Sequence, residues 1–333
     1  MVKIAVIGLG MMGRNHVRVY NELPDAELVA VADVNESVAE AVGAQYKVRW
    51  YTDYRTMLER ERCDAVSVAV PTALHEQVTI DALEAGAPVL VEKPIAATVA
   101  GARRMIERAR RLGRQLMVGH IVRFNPAVQA LKQKLEDGQL GRLFQVFCRR
   151  IGPFPARIRD VGVVVDLASH DLDLMRYLIG SDPIRVCAEV EQRVHTTHED
   201  LMWGLLRFPE GVVGALEVNW LTPTKIRETI LLGERGMFRL DDLTQELYFY
   251  ENGLAGEFSW PALQSLKGVS EGHIIRYPIR QYEPLKAELE AFLRAVQDGL
   301  PVPVSGEEGL AALELALMLV ESGKTGRVVE VAR

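Results

Sequence analysis

Cysteine is scarce. Cys63, Cys148 and Cys187 are the only three in 333 residues. An odd, scattered set excludes a disulfide framework and a zinc cluster, and it fits a reducing compartment, so a cytoplasmic location is expected. Positive charge is also short. Thirty-nine Lys and Arg against 45 Asp and Glu give a formal net charge of -6, which argues against nucleic acid as the main partner. No apolar run approaches the ~18 residues of a membrane span. The apolar opening MVKIAVIGLG runs straight into a glycine pattern without a small-residue cleavage site, so it reads as a strand and not as an export signal. There is no internal repeat and no long linker. What remains is 48% hydrophobic residues over a length that suits two domains.

The first half alternates strand and helix. VKIAVIG (2–8), AELVAVAD (26–33), AVSVAV (65–70), APVLVE (87–92) and QLMVGH (115–120) are short apolar runs, as buried parallel strands should be. Helical stretches fall between them, at 11–23, 35–43, 73–86 and 97–112. This pattern implies a doubly wound parallel sheet with ligands at the carboxyl ends of its strands. From about residue 123 the texture changes. Asn125-Pro126 reads as an N-cap and first helical residue, opening a helix to Glu136. LFQVFCRR, IRVCAEVEQRV, DLMWGLLRF, GVVGALEVNW, IRETILLG, GMFRLDD and ELYFYE read as antiparallel strands, with Pro209-Glu210-Gly211 a turn. Helices near 284–298 and 306–321 and a last strand, RVVEV, follow. The fold class is α/β: a Rossmann domain over 1–122, then an α+β domain over 123–333 with a large, mostly antiparallel open sheet. Helices would cover one face of that sheet. The other face needs polar residues or a partner subunit.

Gly8, Gly10, Met11, Met12 and Gly13 form G-x-G-x-x-G between a strand and a helix, the context a dinucleotide fingerprint requires. The glycines allow a tight turn, approach of a pyrophosphate and close helix–strand packing, and the helix N-terminus supplies N–H donors. Asp33 ends the second strand about 20 residues later, where an acid can bind ribose hydroxyls. A 2′-phosphate there would meet like charge, and no arginine follows at once, so NAD is favoured over NADP.

Residues 163–178, VVVDLASHDLDLMRYL, are apolar but carry acids and a histidine. On a helical wheel Asp166, His170, Asp173 and Tyr177 form one stripe opposite a broad apolar arc. Asp171 intrudes on that arc and is expected to serve a backbone group or an arginine. HTTHED carries His195, His198, Glu199 and Asp200 between two strands. Period-two geometry does not converge them, and no metal is expected.

With GLGMMG, AVPTALH (69–75), Glu92-Lys93-Pro94 and the D-x-x-x-H of Asp166 and His170 in view, the chain resembles the glucose–fructose oxidoreductase / inositol dehydrogenase / rhizopine-catabolism (Gfo/Idh/MocA) family over nearly its whole length. The resemblance implies NAD(P)-dependent oxidation or reduction at a secondary alcohol of a sugar or cyclitol, by dimers or tetramers formed through the open sheet. It implies that Lys93 lies beside the nicotinamide and the reacting hydroxyl, that His170 accepts the hydroxyl proton and that Asp166 orients the imidazole or bonds a neighbouring hydroxyl. It brings Pro71, Thr72, His75 and Glu92 to the cofactor. Arginines suit anionic substrates. Arg149, Arg150, Arg157 and Arg159 precede the catalytic helix, and His120, Arg123 and Asn125 lie near the domain junction. His120, Arg123, Asn125, Arg157, Asp166 and His170 are therefore the candidate substrate residues. GPFPARIRDVGVVVDLASHD also resembles family members described as UDP-N-acetylglucosamine 3-dehydrogenases, which makes that activity the leading expectation. The alternatives are an inositol or simple-sugar dehydrogenase, an NAD-dependent glycoside hydrolase and a non-catalytic NAD-binding sensor.

Overall fold

A computed structural model describes residues 1–155, 161–253 and 270–331. Arg157 and Arg159 lie outside the described residues. The chain groups into two compact units, Met1–Phe124 with Glu283–Glu314, and Asn125–Tyr282 with Leu315–Arg333.

The first unit carries a six-stranded parallel sheet. Its strands are β1 (Val2–Ile7), β2 (Ala26–Ala32), β3 (Arg49–Tyr51), β4 (Ala65–Val68), β5 (Val89–Glu92) and β6 (Leu116–Gly119), in the order β3-β2-β1-β4-β5-β6. The order reverses between β1 and β4, the position where doubly wound sheets open a ligand crevice. β4, β5 and β6 are buried throughout, which is why they read as continuous apolar runs. Helices α1 (Met11–Glu22), α2 (Glu36–Tyr46), α3 (Tyr54–Arg60), α4 (His75–Glu84) and α5 (Val99–Leu112) connect the strands. Their starts follow local chemistry. The Asn35 side chain accepts from Val38 N–H, Asp53 from Arg55 and Thr56, and Thr98 from Gly101. α5 ends on Gly113 in the left-handed region at φ 61.

The sequence division at 122/123 does not anticipate the return of the chain. Helix α8 (Pro284–Asp298) buries Leu285, Leu289, Phe292 and Leu293, and belongs to the first unit. Val304 then accepts from Val118 N–H at 3.1 Å, and Ser305 bridges Met117 in antiparallel sense. The following helix, α9 (Gly306–Thr325), begins in the first unit and ends in the second.

The second unit holds a nine-stranded sheet in the order β14-β13-β12-β11-β7-β10-β9-β8-β15. Its strands are β7 (Leu143–Pro153), β8 (Arg185–Glu191), β9 (Leu201–Arg207), β10 (Val213–Asn219), β11 (Leu221–Gly233), β12 (Gly236–Asp241), β13 (Glu246–Gly253), β14 (Ser270–Arg276) and β15 (Val329–Glu330). Every pairing is antiparallel except β10 with β7. Helix α6 (Pro126–Glu136) starts at Asn125, whose side chain accepts from Ala127 N–H, with Pro126 in the first turn, as the Asn-Pro pair predicts. Helix α7 (Ser169–Ile179) is preceded by a π turn at Val164–Ala168, which the regular wheel over 163–178 does not contain. On β9, Met202, Gly204 and Leu206 are buried while Trp203 and Leu205 on the opposite face are 48% and 54% exposed.

Candidate active site

The glycine loop joins β1 to α1. Gly8 has φ 91, and a Cβ there would lie 2.6 Å from the Ala69 carbonyl oxygen. A Cβ on Gly13 would lie 1.8 Å from the Gly8 carbonyl oxygen. These two positions are sterically closed to any side chain. Gly10 is the reverse, with nothing within 4 Å of its absent Cβ, and Met11 beside it is 57% exposed. Met12 is the second residue of α1. The loop therefore presents an open backbone face at a helix N-terminus, a fit for a pyrophosphate. Asp33 follows β2. Its Oδ2 accepts from Leu9 N–H at 2.7 Å and its Oδ1 from Asn35 N–H at 2.9 Å, which fixes the carboxylate beside the loop.

Under the loop runs a buried polar chain. His16 of α1 is 0% exposed. Its Nε2 is 3.0 Å from Glu92 Oε1 and its Nδ1 is 2.9 Å from Ser67 Oγ, which in turn is 3.2 Å from Tyr20 Oη. One proton arrangement satisfies all of them: Tyr20 donates to Ser67, Ser67 to Nδ1, and Nε2–H to Glu92. Glu92 Oε2 accepts from the Lys93 backbone N–H at 3.2 Å. Burial alone would raise the Glu92 pKa, but the His16 hydrogen bond and the nearby Lys93 charge outweigh it and hold the carboxyl below its usual range. Glu92 was expected at the cofactor. Each of its oxygens accepts from the protein, and it anchors the start of Lys93-Pro94, a cis peptide bond at the carboxyl end of β5. Sequence reasoning did not single out His16. Its signal was its place on the buried stripe of α1 with Gly13, Val17 and Tyr20, where a polar side chain needs a partner.

Pro71 and Thr72 form the turn after β4, and His75 opens α4. His75 is buried, not on the helix surface. Its Nδ1 lies 2.8 Å from the Pro94 carbonyl oxygen and its Nε2 2.9 Å from that of Val70. The ring lies between the turns that follow β4 and β5; as a neutral imidazole it donates to one of these two carbonyls, and only the imidazolium donates to both. Burial lowers its pKa. His120 is buried at the end of β6. Arg123 is 5% exposed and pairs with Glu308 at 2.6 Å, within the first unit. Asn125 caps α6 and donates from Nδ2 to the Asp242 carbonyl at 3.0 Å. Arg123 and Asn125 thus each hold another part of their own unit.

In the second unit Asp166 lies in the π turn and His170 in the first turn of α7, both half-buried. Asp173 is 1% exposed, so the polar stripe is not uniformly solvated. Tyr177 sits 5.3 Å from Lys132 Nζ, in cation–π contact. Asp171 takes the arginine expected of it. Arg150 Nε donates to both Asp171 oxygens at 2.9 and 3.0 Å, and Arg150 Nη2 donates to Asp242 at 2.9 Å. Arg149 points to the other sheet face and pairs with Glu217 at 2.7 Å. In HTTHED, Asp200 accepts from the backbone N–H groups of Arg193, Val194 and His195. His195 Nδ1 accepts from the N–H groups of Thr197 and His198. The Glu199 carbonyl accepts from Val163 N–H at 3.0 Å and its carboxylate from Val164 N–H at 3.3 Å. This loop holds the start of the helix that carries Asp166 and His170.

Residues 2–120 match the family model described as an oxidoreductase family with an NAD-binding Rossmann fold, and 128–239 match that of the GFO/IDH/MocA C-terminal domain. The chain is 30% identical over 318 residues to UDP-N-acetylglucosamine 3-dehydrogenase of Acidithiobacillus ferrooxidans, covering 96% of each. The chain belongs to the GFO/IDH/MocA oxidoreductase family. It is also 27% identical over 342 residues to scyllo-inositol 2-dehydrogenase (NAD(+)) of Bacillus subtilis, covering 99% of this chain and 96% of that one. A solved structure of the Acidithiobacillus ferrooxidans UDP-N-acetylglucosamine 3-dehydrogenase superposes with a TM-score of 0.85 at 27% identity, over 97% of this chain and 98% of that one. The glycine loop and Asp33 thus belong to an NAD-binding oxidoreductase domain. No helix among the described residues is long and apolar enough to cross a membrane.

Proposed function

We propose that this GFO/IDH/MocA protein oxidises or reduces a secondary alcohol of a sugar, nucleotide sugar or cyclitol, with UDP-N-acetylglucosamine 3-dehydrogenation as the leading activity. The observation that carries the reading is Lys93 at the carboxyl end of β5, with its backbone bonded to a Glu92 that His16 of the glycine-loop helix also holds. Bound NAD⁺ supplies the hydride acceptor. The chain's own groups supply position and proton transfer. His170 takes the proton of the reacting hydroxyl. Asp166, four residues earlier, orients the imidazole or bonds a neighbouring hydroxyl. The Lys93 ammonium lowers the energy of the developing alkoxide. The 96% mutual coverage with a UDP-N-acetylglucosamine 3-dehydrogenase supports the nucleotide-sugar form. The similar match to inositol 2-dehydrogenases of 26 to 28% identity keeps neutral cyclitols as the second reading.

The test is single-turnover NADH formation with stoichiometric NAD⁺, offering UDP-N-acetylglucosamine, its uronic acid, myo-inositol and neutral hexoses in turn. NADH with the nucleotide sugars alone supports the leading activity. NADH with myo-inositol alone replaces it by the second reading. Lys93→Ala and His170→Ala should each abolish turnover while NAD binding survives, and full activity in either variant contradicts its role.

We also propose that the exposed sheet face carrying Trp203, stacked on Phe147 at 6.3 Å, and Leu205 meets a second copy of the chain. Sedimentation of Trp203→Glu should show dissociation to monomers. A monomeric parent protein would refute this.

A further inference from the structure

Among the described residues, the arginines that suggested an anionic substrate are used elsewhere in the fold. Arg149 pairs with Glu217, Arg150 with Asp171 and Asp242, and Arg123 with Glu308. A different cation stands beside the helix of Asp166 and His170. Arg227 on β11 is directly opposite Arg150 on β7, so it shares the sheet face on which Arg150 reaches Asp171 of α7. Arg227 Nη1 donates to the carbonyls of Ile151 at 2.6 Å and Ile226 at 2.8 Å. Among the described residues it has no carboxylate within ion-pairing distance. The two carbonyls fix the guanidinium but supply no opposite charge in contact with it.

The neighbouring backbone adds a second cation. The β7–β11 register breaks between Leu221 and Ile226, a bulge of the kind that re-aims side chains. Lys225 lies in that break. Its Cγ is 3.8 Å from where a Cβ on Gly152 would stand, and Gly152, two residues after Arg150, faces the same side. Lys225 is itself exposed and makes no ion pair among the described residues. The charged groups acting on Arg227 are the cation Arg150 and the carboxylates Asp171, Asp242 and Asp166. The first two acids are committed to Arg150.

We propose that Arg227 and Lys225 form an oxyanion subsite that takes a phosphate or carboxylate of the sugar substrate whose hydroxyl reacts at His170. The assignment rests on the catalytic reading given above. A half-buried cation with no carboxylate paired to it among the described residues gains when an anion arrives, and a guanidinium and an ammonium two residues apart on one strand suit the oxygens of either group. Burial and the charge of Arg150 push the Arg227 pKa down to about 10, which leaves it charged at neutral pH and ready to gain from an anionic ligand. Burial, Arg227 and Arg150 lower that of Lys225 as well.

Calorimetric binding of UDP, glucuronate and myo-inositol to the NADH-loaded protein tests this. The parent protein should bind UDP or glucuronate, and which of them it binds names the source of the anion. Arg227→Gln should weaken that binding about 10- to 100-fold, the scale of a lost charge-assisted hydrogen bond. Arg227→Lys should recover part of it. Lys225→Gln, at an exposed position that does not threaten folding, should weaken it about threefold or more. Unchanged anion affinity in both glutamine variants overturns the subsite. So does a parent protein that binds myo-inositol and neither anion. NADH formation is the separate readout. Anion binding that depends on Arg227, without NADH from any substrate, keeps the subsite and overturns the catalytic reading. NADH from myo-inositol without anion binding does the opposite.

Discussion

Glu92 is a carboxylate kept charged in the core by the His16 hydrogen bond and the nearby Lys93 charge. His16→Ala would remove that donor, a loss of about 1.5–3 kcal/mol. Urea denaturation should show a loss of that size, with part of it regained in the double variant His16→Ala/Glu92→Gln. His75 gives a pH signature. Burial lowers its folded pKa beneath the ordinary 6.5, so the unfolded ring takes up a proton first as pH falls. Its contribution is present above about pH 6.5 and is lost as pH drops from there towards the folded value, by up to about 1.4 kcal/mol per pH unit. Denaturation between about pH 7 and 5.5 should show a shallower slope for His75→Gln than for the parent protein. Equal slopes would remove His75 from the account. At this scale the sequence was informative where residue type and chain context agree. Gly8, Gly13, Asp33, the Asn125 cap and the arginine partner of Asp171 were all legible. Partners distant in the chain were not. Nothing in the order of residues says that Glu92 meets His16, or that Arg123 is spent on Glu308.

Two positions in one loop separate folding from cofactor binding. A side chain at Gly13 collides with the Gly8 backbone, whereas one at Gly10 projects into open space. Gly13→Ala should therefore lower both the melting temperature and NAD affinity. Gly10→Ala should keep the parent melting temperature while NAD binding, followed by nucleotide fluorescence, weakens about tenfold or more. A Gly10→Ala protein with parent affinity would mean that no pyrophosphate approaches there. Strands buried on both faces were legible as apolar runs, with helical stretches between them. β3 has only three residues at the sheet edge, exposed or half-buried, so its pattern carries no period and was not recognised. The π turn at Val164–Ala168 escaped because a wheel drawn at a fixed angle has no place for an inserted residue.

The first unit is assembled from two separated stretches of chain. A fragment of residues 1–124 would lack α8, the Val118–Val304 hydrogen bond and the Arg123–Glu308 pair. Differential scanning fluorimetry should show no NAD-induced stabilisation of that fragment, against a clear upward shift for the whole chain. An equal shift in both would show that residues 283–314 are dispensable to the nucleotide domain. The sequence placed a helix near 284–298 but assigned it to the second domain, since a helix's own pattern never names the sheet that receives it. The same return of the chain sets a schedule for synthesis. Domains that are continuous in sequence can fold while the ribosome is still at work on the next one. Here residues 283–314 emerge only after every strand of the second sheet except β15. The nucleotide domain is therefore completed only after most of the second sheet has been made, and a chain released before residue 283 should not hold NAD.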